Sequence, residues 1–92
     1  MIKSWKHKGL QKFYNEGITA GIQANHAEIL DEILLMLKTA EKPKDMNLPG
    51  YNFHALKGKM KGLYAIKVNA NWRITFGFEG KDVVLVNYQD YH

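Results

Sequence analysis

Apolar residues along this chain keep two different periods, and the change falls near the middle. In the first half they recur every three or four positions, the spacing that lines one face of a helix. Leu10, Phe13 and Tyr14 do so between Lys8 and Asn15, and Gly17 supplies a stop. Leu30, Ile33, Leu34 and Leu37 form a longer stripe, with Ile29 and Met36 at its edge and Glu28, Asp31, Glu32 and Lys38 on the other side. Asn25 stands where a cap is needed and Glu28 three positions on, so a capping box is expected there. Ile2 to Trp5 reads as a short strand ahead of the helices. Pro43 and Pro49-Gly50 bracket a loop behind them.

After Gly50 the period is two. Tyr51 to Leu56 reads as a strand, followed by a loop over 57–62 with a glycine near each end. Leu63 to Asn69 alternates, with Tyr64, Ile66 and Val68 on one face and Lys67 on the other. Trp72 to Phe78 alternates more cleanly: Trp72, Ile74, Phe76 and Phe78 against Arg73, Thr75 and Gly77. Glu79-Gly80-Lys81 predicts a tight turn and Asp82 to Tyr88 a last strand. The order predicts an α+β fold of one domain spanning residues 1–92. Two N-terminal helices pack on one face of a mainly antiparallel sheet, and the other face is left to solvent or ligand.

The alternation gives a placement test. Trp72, Ile74 and Phe76 must meet the helices, so Arg73 and Thr75 are expected on the open face. Charge sharpens this. No Asp or Glu occurs from Met46 to Phe78, where Lys57, Lys59, Lys61, Lys67 and Arg73 all fall; the acids lie in the flanks. Such segregation is the electrostatic footprint of a polyanion partner, and Lys59, Lys61 and Lys67 are candidate contacts to RNA. Arg73 is the only arginine of thirteen basic residues. Its planar fork holds phosphate with two hydrogen bonds and does not deprotonate.

Other classes fall away. The chain has no cysteine, which excludes a disulfide framework, a thiol nucleophile and thiolate zinc sites. Ser4 is the only serine, which leaves a serine hydrolase poorly served. No apolar stretch suits a signal peptide or a membrane span, so a cytoplasmic protein without membrane contact is expected. The histidines lack metal-ligand spacing, and neither metal nor cofactor is expected.

Of the four histidines, His7 and His26 lie in or beside the helices and read as surface residues. His54 and His92 lie at strand ends. The sequence closes on Asp90-Tyr91-His92, straight after the apolar run Val83 to Val86. These three side chains can give, take or orient a proton. Together, His54, Lys57, Arg73, Asp90, Tyr91 and His92 suit cleavage of RNA by its own 2′-hydroxyl. That reaction needs a base for the hydroxyl proton, cations on the phosphate and an acid for the departing 5′-oxygen. Histidine serves as acid or base near neutral pH.

Leu56-Lys57-Gly58, then Asn71-Trp72-Arg73-Ile74-Thr75-Phe76, then Tyr88-Gln89-Asp90-Tyr91-His92 resemble the HigB toxins, also called plasmid-maintenance killer proteins, among the RelE-like toxins. Met1-Ile2-Lys3-Ser4 before an aromatic, and Lys6-His7-Lys8-Gly9-Leu10, match as well, so the resemblance runs end to end. It implies a curved sheet and a metal-independent endoribonuclease that cuts translated mRNA in the ribosomal A site. It implies as partners the ribosome, mRNA and a HigA-type helix-turn-helix antitoxin, with operator DNA reached only through that antitoxin. The family's working histidine maps to His54, its basic residue to Lys57, its phosphate-binding arginine to Arg73 and its terminal group to Asp90, Tyr91 and His92. His92 is then the leading acid or base, positioned by Asp90 and assisted by His54. The chain departs from the family in Leu63-Tyr64-Ala65, where an aromatic Trp-Ser is usual, and in the acid-free loop Lys59-Met60-Lys61. The competing reading is a non-catalytic RNA binder, or a decayed toxin that acts with its antitoxin as co-repressor. A binder has no need of the terminal proton-transfer set.

Overall fold

The computed structural model describes residues 1–91. Helices α1 (Lys8–Glu16) and α2 (Ala27–Thr39) precede strands β1 (His54–Ala55), β2 (Tyr64–Asn69), β3 (Trp72–Glu79) and β4 (Asp82–Asp90). The strands form an antiparallel sheet in the order β1-β2-β3-β4. The expected α+β arrangement, two helices and then a meander, is what forms.

Helix α1 begins where the His7 ring accepts the Leu10 N–H at 3.0 Å, and ends at Gly17 in the left-handed region with φ 73°. Gly9 and Gly21 then touch backbone to backbone. A Cβ on Gly9 would lie 2.7 Å from the Gly21 carbonyl oxygen. Only glycine allows the segment after α1 to cross it so closely.

Helix α2 buries the stripe read from the sequence: Leu30, Ile33, Leu34 and Leu37 are each 0–1% exposed. Each such side chain stabilises the fold by roughly 1.5–3 kcal/mol. They meet Ile66, Ile74, Phe76, Val83 and Val86 from the sheet. The expected capping box does not form. A short 3₁₀ turn, Ala24–His26, carries the helix back by a turn, and the residue before α2 is His26, whose ring makes no cap. That ring has another task. His26 is 3% exposed, with Nδ1 2.6 Å from the Tyr88 hydroxyl, so its reading as a surface residue is corrected: a buried phenol needs a polar partner and takes the imidazole. His7 is likewise half-buried rather than free on the surface.

Strand β1 is only His54–Ala55, not Tyr51–Leu56, because Asn52 has φ 50° and breaks the extended run. The N-terminal segment runs parallel to β4 through two isolated bridges, Ile2 with Val83 and Trp5 with Val86. Its hydrogen bonds, Lys3 N–H to Val83 at 2.7 Å and Lys6 N–H to Val86 at 2.8 Å, cover an edge that would otherwise stand open. Strand β4 is longer than expected and bulged. Thr75 pairs with Asn87 and Gly77 with Val84, so Phe76 alone opposes two residues of β4, Leu85 and Val86. Leu85 takes the extra place with φ 57°, and its N–H donates to the Ser4 hydroxyl at 2.8 Å. The bulge brings Val83, Val86 and Tyr88 all to the core.

Thr75, expected on the open face, is 1% exposed. The loop before β2 covers it. Leu63 occupies the space that a Cβ on Gly77 would meet at 3.0 Å, and the Met60 sulfur reaches Arg73, so Thr75 lies on the strand between the two contacts. Among the described residues no helix is long and apolar enough to cross a membrane.

Two outcomes follow for stability. A leucine in the left-handed region costs roughly 1 kcal/mol that glycine does not incur. Leu85→Gly is therefore expected to match or exceed the native chain by about that amount in urea unfolding; a clear loss would assign the stabilising role to the half-exposed leucine side chain. Burial holds the His7 imidazole below its ordinary value, against a smaller opposing backbone hydrogen bond. Its contribution is present in full above the unfolded value of about 6.5 and is lost as pH falls through the lower folded value. His7→Asn keeps a capping acceptor that does not titrate. Its stability relative to the native chain should rise between pH 7 and pH 5, whereas a constant difference would contradict the assignment.

Candidate active site

The sheet register assembles the site in two rows on the open face. One row runs from His54 through Ala65 and Thr75 to Asn87. The next sets Lys67 beside Arg73 and Arg73 beside Gln89. Lys67 and Arg73 are thus cross-strand neighbours, and no acid joins them in the row. Like charges directly opposite one another are destabilising, so this pair weakens the sheet unless an anion lies over it.

Tyr91 completes the group. Its N–H bonds the Asn71 carbonyl at 2.9 Å, and its ring lies against the guanidinium, 3.9 Å from Arg73 Cζ to the ring centre. The ring is half exposed, which suits a platform rather than a core residue. On another side Arg73 Nη2 is 4.0 Å from the Met60 sulfur, a weak acceptor. Arg73 Nε and Gln89 Oε1 are buried and find no hydrogen-bond partner among the described residues. Among the described residues the guanidinium is therefore held by soft contacts, and neither ion pair found there engages its fork.

A cleft of about 210 Å³ opens over these side chains, lined among others by Asn52, His54, Lys67, Arg73 and Tyr91. His54 Nδ1 is 2.9 Å from the Asn52 carbonyl oxygen. A carbonyl only accepts, so Nδ1 carries the proton and donates it to this bond. In the neutral ring Nε2 then bears the lone pair, the form a general base requires.

Behind the cleft the packing is aromatic. Trp72 stacks on Tyr88 at 4.5 Å and 28°, and His26 meets both rings edge-on. The Tyr88 phenol is pushed up mainly by burial, with the nearby Asp90 charge adding to it and the Gln23 backbone N–H opposing. It stays a neutral hydroxyl and ties α2 to the strand that carries Tyr91.

The residues singled out from the sequence thus separate. The structure brings His54, Lys67, Arg73 and Tyr91 into one cleft. Lys57, Lys59 and Lys61 stand exposed on the turn over 57–61; Met60 of the same turn touches Arg73, which sets that turn at the rim. Asp90 pairs with Trp72 and alternates to the face of Trp72 and Tyr88, opposite to Gln89 and Tyr91. His92 lies outside the described residues. Among the described residues no three His, Asp or Glu side chains gather as a metal-ligand set. Sequence reasoning missed Asn52, whose left-handed backbone is a common asparagine conformation, and Gln89, whose place beside Arg73 depends on the bulge.

Comparison with known proteins is consistent with this geometry. The family model for HigB-like toxins, RelE-like toxins of type II toxin–antitoxin systems HigB, matches residues 3–92. A protein of Proteus vulgaris named endoribonuclease HigB is 42% identical over 92 residues, covering all of both chains. Among solved structures, a copper-bound mutant toxin of Helicobacter pylori superposes with a TM-score of 0.61 at 24% identity, over 99% of this chain and 96% of that one. A conserved hypothetical protein of Helicobacter pylori superposes at 0.51 and 23% identity with the same coverage. At such identities the two structures speak for the fold alone. The family match and the full-length relative go further: this chain belongs to the HigB-like family of RelE-like type II toxins.

Proposed function

We propose that this chain is an endoribonuclease that cuts translated mRNA in the ribosomal A site, using its own side chains and no metal. The observation that carries the reading is the cross-strand pair Lys67–Arg73 in one cleft with His54. Two cations set side by side without an acid favour a phosphate, and an imidazole with a fixed tautomer serves proton transfer. The relative that bears the name endoribonuclease agrees with that chemistry.

In the proposed reaction the scissile phosphate lies over Arg73 and Lys67, which stabilise the charge that grows on its oxygens. His54 Nε2 takes the 2′-hydroxyl proton as that oxygen attacks phosphorus. His92 is proposed as the acid for the departing 5′-oxygen, with Asp90 and Tyr91 setting the terminal segment and Tyr91 offering its half-exposed ring to a base. Lys57, Lys59 and Lys61 follow the RNA backbone at the rim. As a type II toxin the chain has a cognate protein antitoxin; a HigA-type helix-turn-helix protein is the proposed one, and operator DNA is reached through it. The cytoplasm is the proposed compartment, where ribosomes and antitoxin are both present.

Ribosome dependence follows from scale. One arginine and scattered lysines hold free RNA weakly and with strong salt dependence. A ribosome supplies the positioning, which is worth several orders of magnitude in rate. Mapped by primer extension, cuts should fall within codons of translated mRNA, with negligible cleavage of the same RNA naked. Efficient cutting of naked RNA at the same sites would contradict the reading.

Arg73 gives a second outcome. Lysine lacks the fork, so Arg73→Lys should lose nearly as much as Arg73→Ala, on the order of 10²–10³ in single-turnover rate. Both variants should keep the native circular dichroism spectrum, because the guanidinium faces away from the helices. Near-native toxicity of Arg73→Ala would remove Arg73 from the site.

A further inference from the structure

We infer that Gln89 is a positioning residue for Arg73: its side-chain oxygen accepts the Arg73 Nε–H when substrate draws the guanidinium from Tyr91, and so aims the remaining nitrogens at the phosphate. The inference rests on the reading of Arg73 as the phosphate clamp.

Four observations lead to it. Arg73 and Gln89 are register partners on β3 and β4, hence neighbours on one face, within reach of two long side chains. Arg73 Nε is a donor, and Gln89 Oε1 an acceptor. Each is buried, and among the described residues these are the two buried side-chain polar atoms that lack a hydrogen bond. Leaving a buried donor and a buried acceptor unmade side by side is costly, and joining them removes both costs at once. Both atoms are shielded from solvent, and the register sets their two side chains next to one another across the strands. Turning the Gln89 amide over would set N–H against N–H, so the oxygen is the end that answers.

The free chain also contains the reason the bond is unmade. Among the described residues the guanidinium rests against the Tyr91 ring at 3.9 Å and the Met60 sulfur at 4.0 Å. Neither competes with a phosphate for strength. A phosphate over Lys67 and Arg73 pulls the charged group off the ring, and the rotation that follows offers Nε to Gln89. An amide is the apt partner there. It fixes Nε without cancelling the charge that the phosphate needs, whereas a carboxylate would hold Nε and offset part of that charge.

The single arginine makes the contact observable, since its Nε–H gives one signal of its kind in the ¹⁵N-labelled full chain. The probe is an RNA trinucleotide with a 2′-deoxy central sugar, at low salt. In the native chain it should slow solvent exchange of the Arg73 Nε–H by about tenfold, the equilibrium equivalent of one hydrogen bond. Gln89→Leu should abolish the slowing, and Gln89→Glu, which keeps an acceptor oxygen, should retain it. On programmed ribosomes Gln89→Leu should lower the single-turnover rate about 10- to 100-fold with ribosome affinity unchanged. In an Arg73→Lys background it should add nothing, because Gln89 acts through Arg73. No slowing in the native chain, equal slowing in the leucine variant, or a full further loss in the Arg73→Lys background overturns the inference. If the native chain leaves translated mRNA uncut, the functional reading fails instead, and the exchange result still judges the contact.

Discussion

One inserted residue in β4 decides which side chains the site receives. Along an unbroken strand Val83, Leu85, Asn87, Gln89 and Tyr91 would share a face. Val83 is fully buried against the helices, so Tyr91 would be turned to the core side and Tyr88 to the ligand side. Leu85 breaks that phase. Its left-handed backbone takes up one residue, and Val86 and Tyr88 rejoin the core while Gln89 and Tyr91 face Arg73. The cost of the strained leucine is met locally by the Ser4 hydroxyl on its N–H and by the N-terminal segment hydrogen-bonded along the same edge. The only serine of the chain is thus structural, and the first residues help to set the geometry of the last.

The cleft is assembled against its own stability. Lys67 and Arg73 are opposed without an acid, two buried polar atoms are unmade, and an aromatic ring stands half in solvent. Each is unfavourable in a free domain and favourable once an anion arrives. What allows them is the rigid backing: Trp72 stacked on Tyr88, and Tyr88 joined to His26 at the start of α2. The hydrophobic stripe of α2 therefore serves the site at one remove, since it fixes the strand pair that presents Arg73. The same helix carries Glu28, Asp31 and Glu32 on its exposed side, so their negative charge lies away from the sheet face that carries Lys67 and Arg73.

Periodicity made most of this legible. The Leu30–Leu37 stripe, the stop at Gly17, the turn at Gly80 and the alternation from Trp72 to Phe78 each follow from one local rule, and each is formed. The placement of Arg73 away from the helices follows from that alternation. What sequence could not give depends on partners distant along the chain. His26 is buried because Tyr88, 62 residues later, needs an acceptor or donor. Thr75 is covered because a loop folds back over its face. Gln89 joins Arg73 because of a bulge that nothing in Val83-Val84-Leu85-Val86 announces, every residue there being an equally good strand former or core residue. The terminal triplet was read as one unit, but strand alternation separates Asp90 from Tyr91.

The central claim is that the RNA's own 2′-hydroxyl is the nucleophile, with imidazole for the protons and Lys67 and Arg73 for the phosphate. The chemistry of the cut ends tests it most directly. Mass spectrometry of mRNA cleaved on programmed ribosomes should find a 2′,3′-cyclic phosphate, or the monophosphate formed from it, on the upstream fragment and a 5′-hydroxyl on the downstream one. A 3′-hydroxyl facing a 5′-phosphate would mean that water, not the ribose, attacks, and would contradict it.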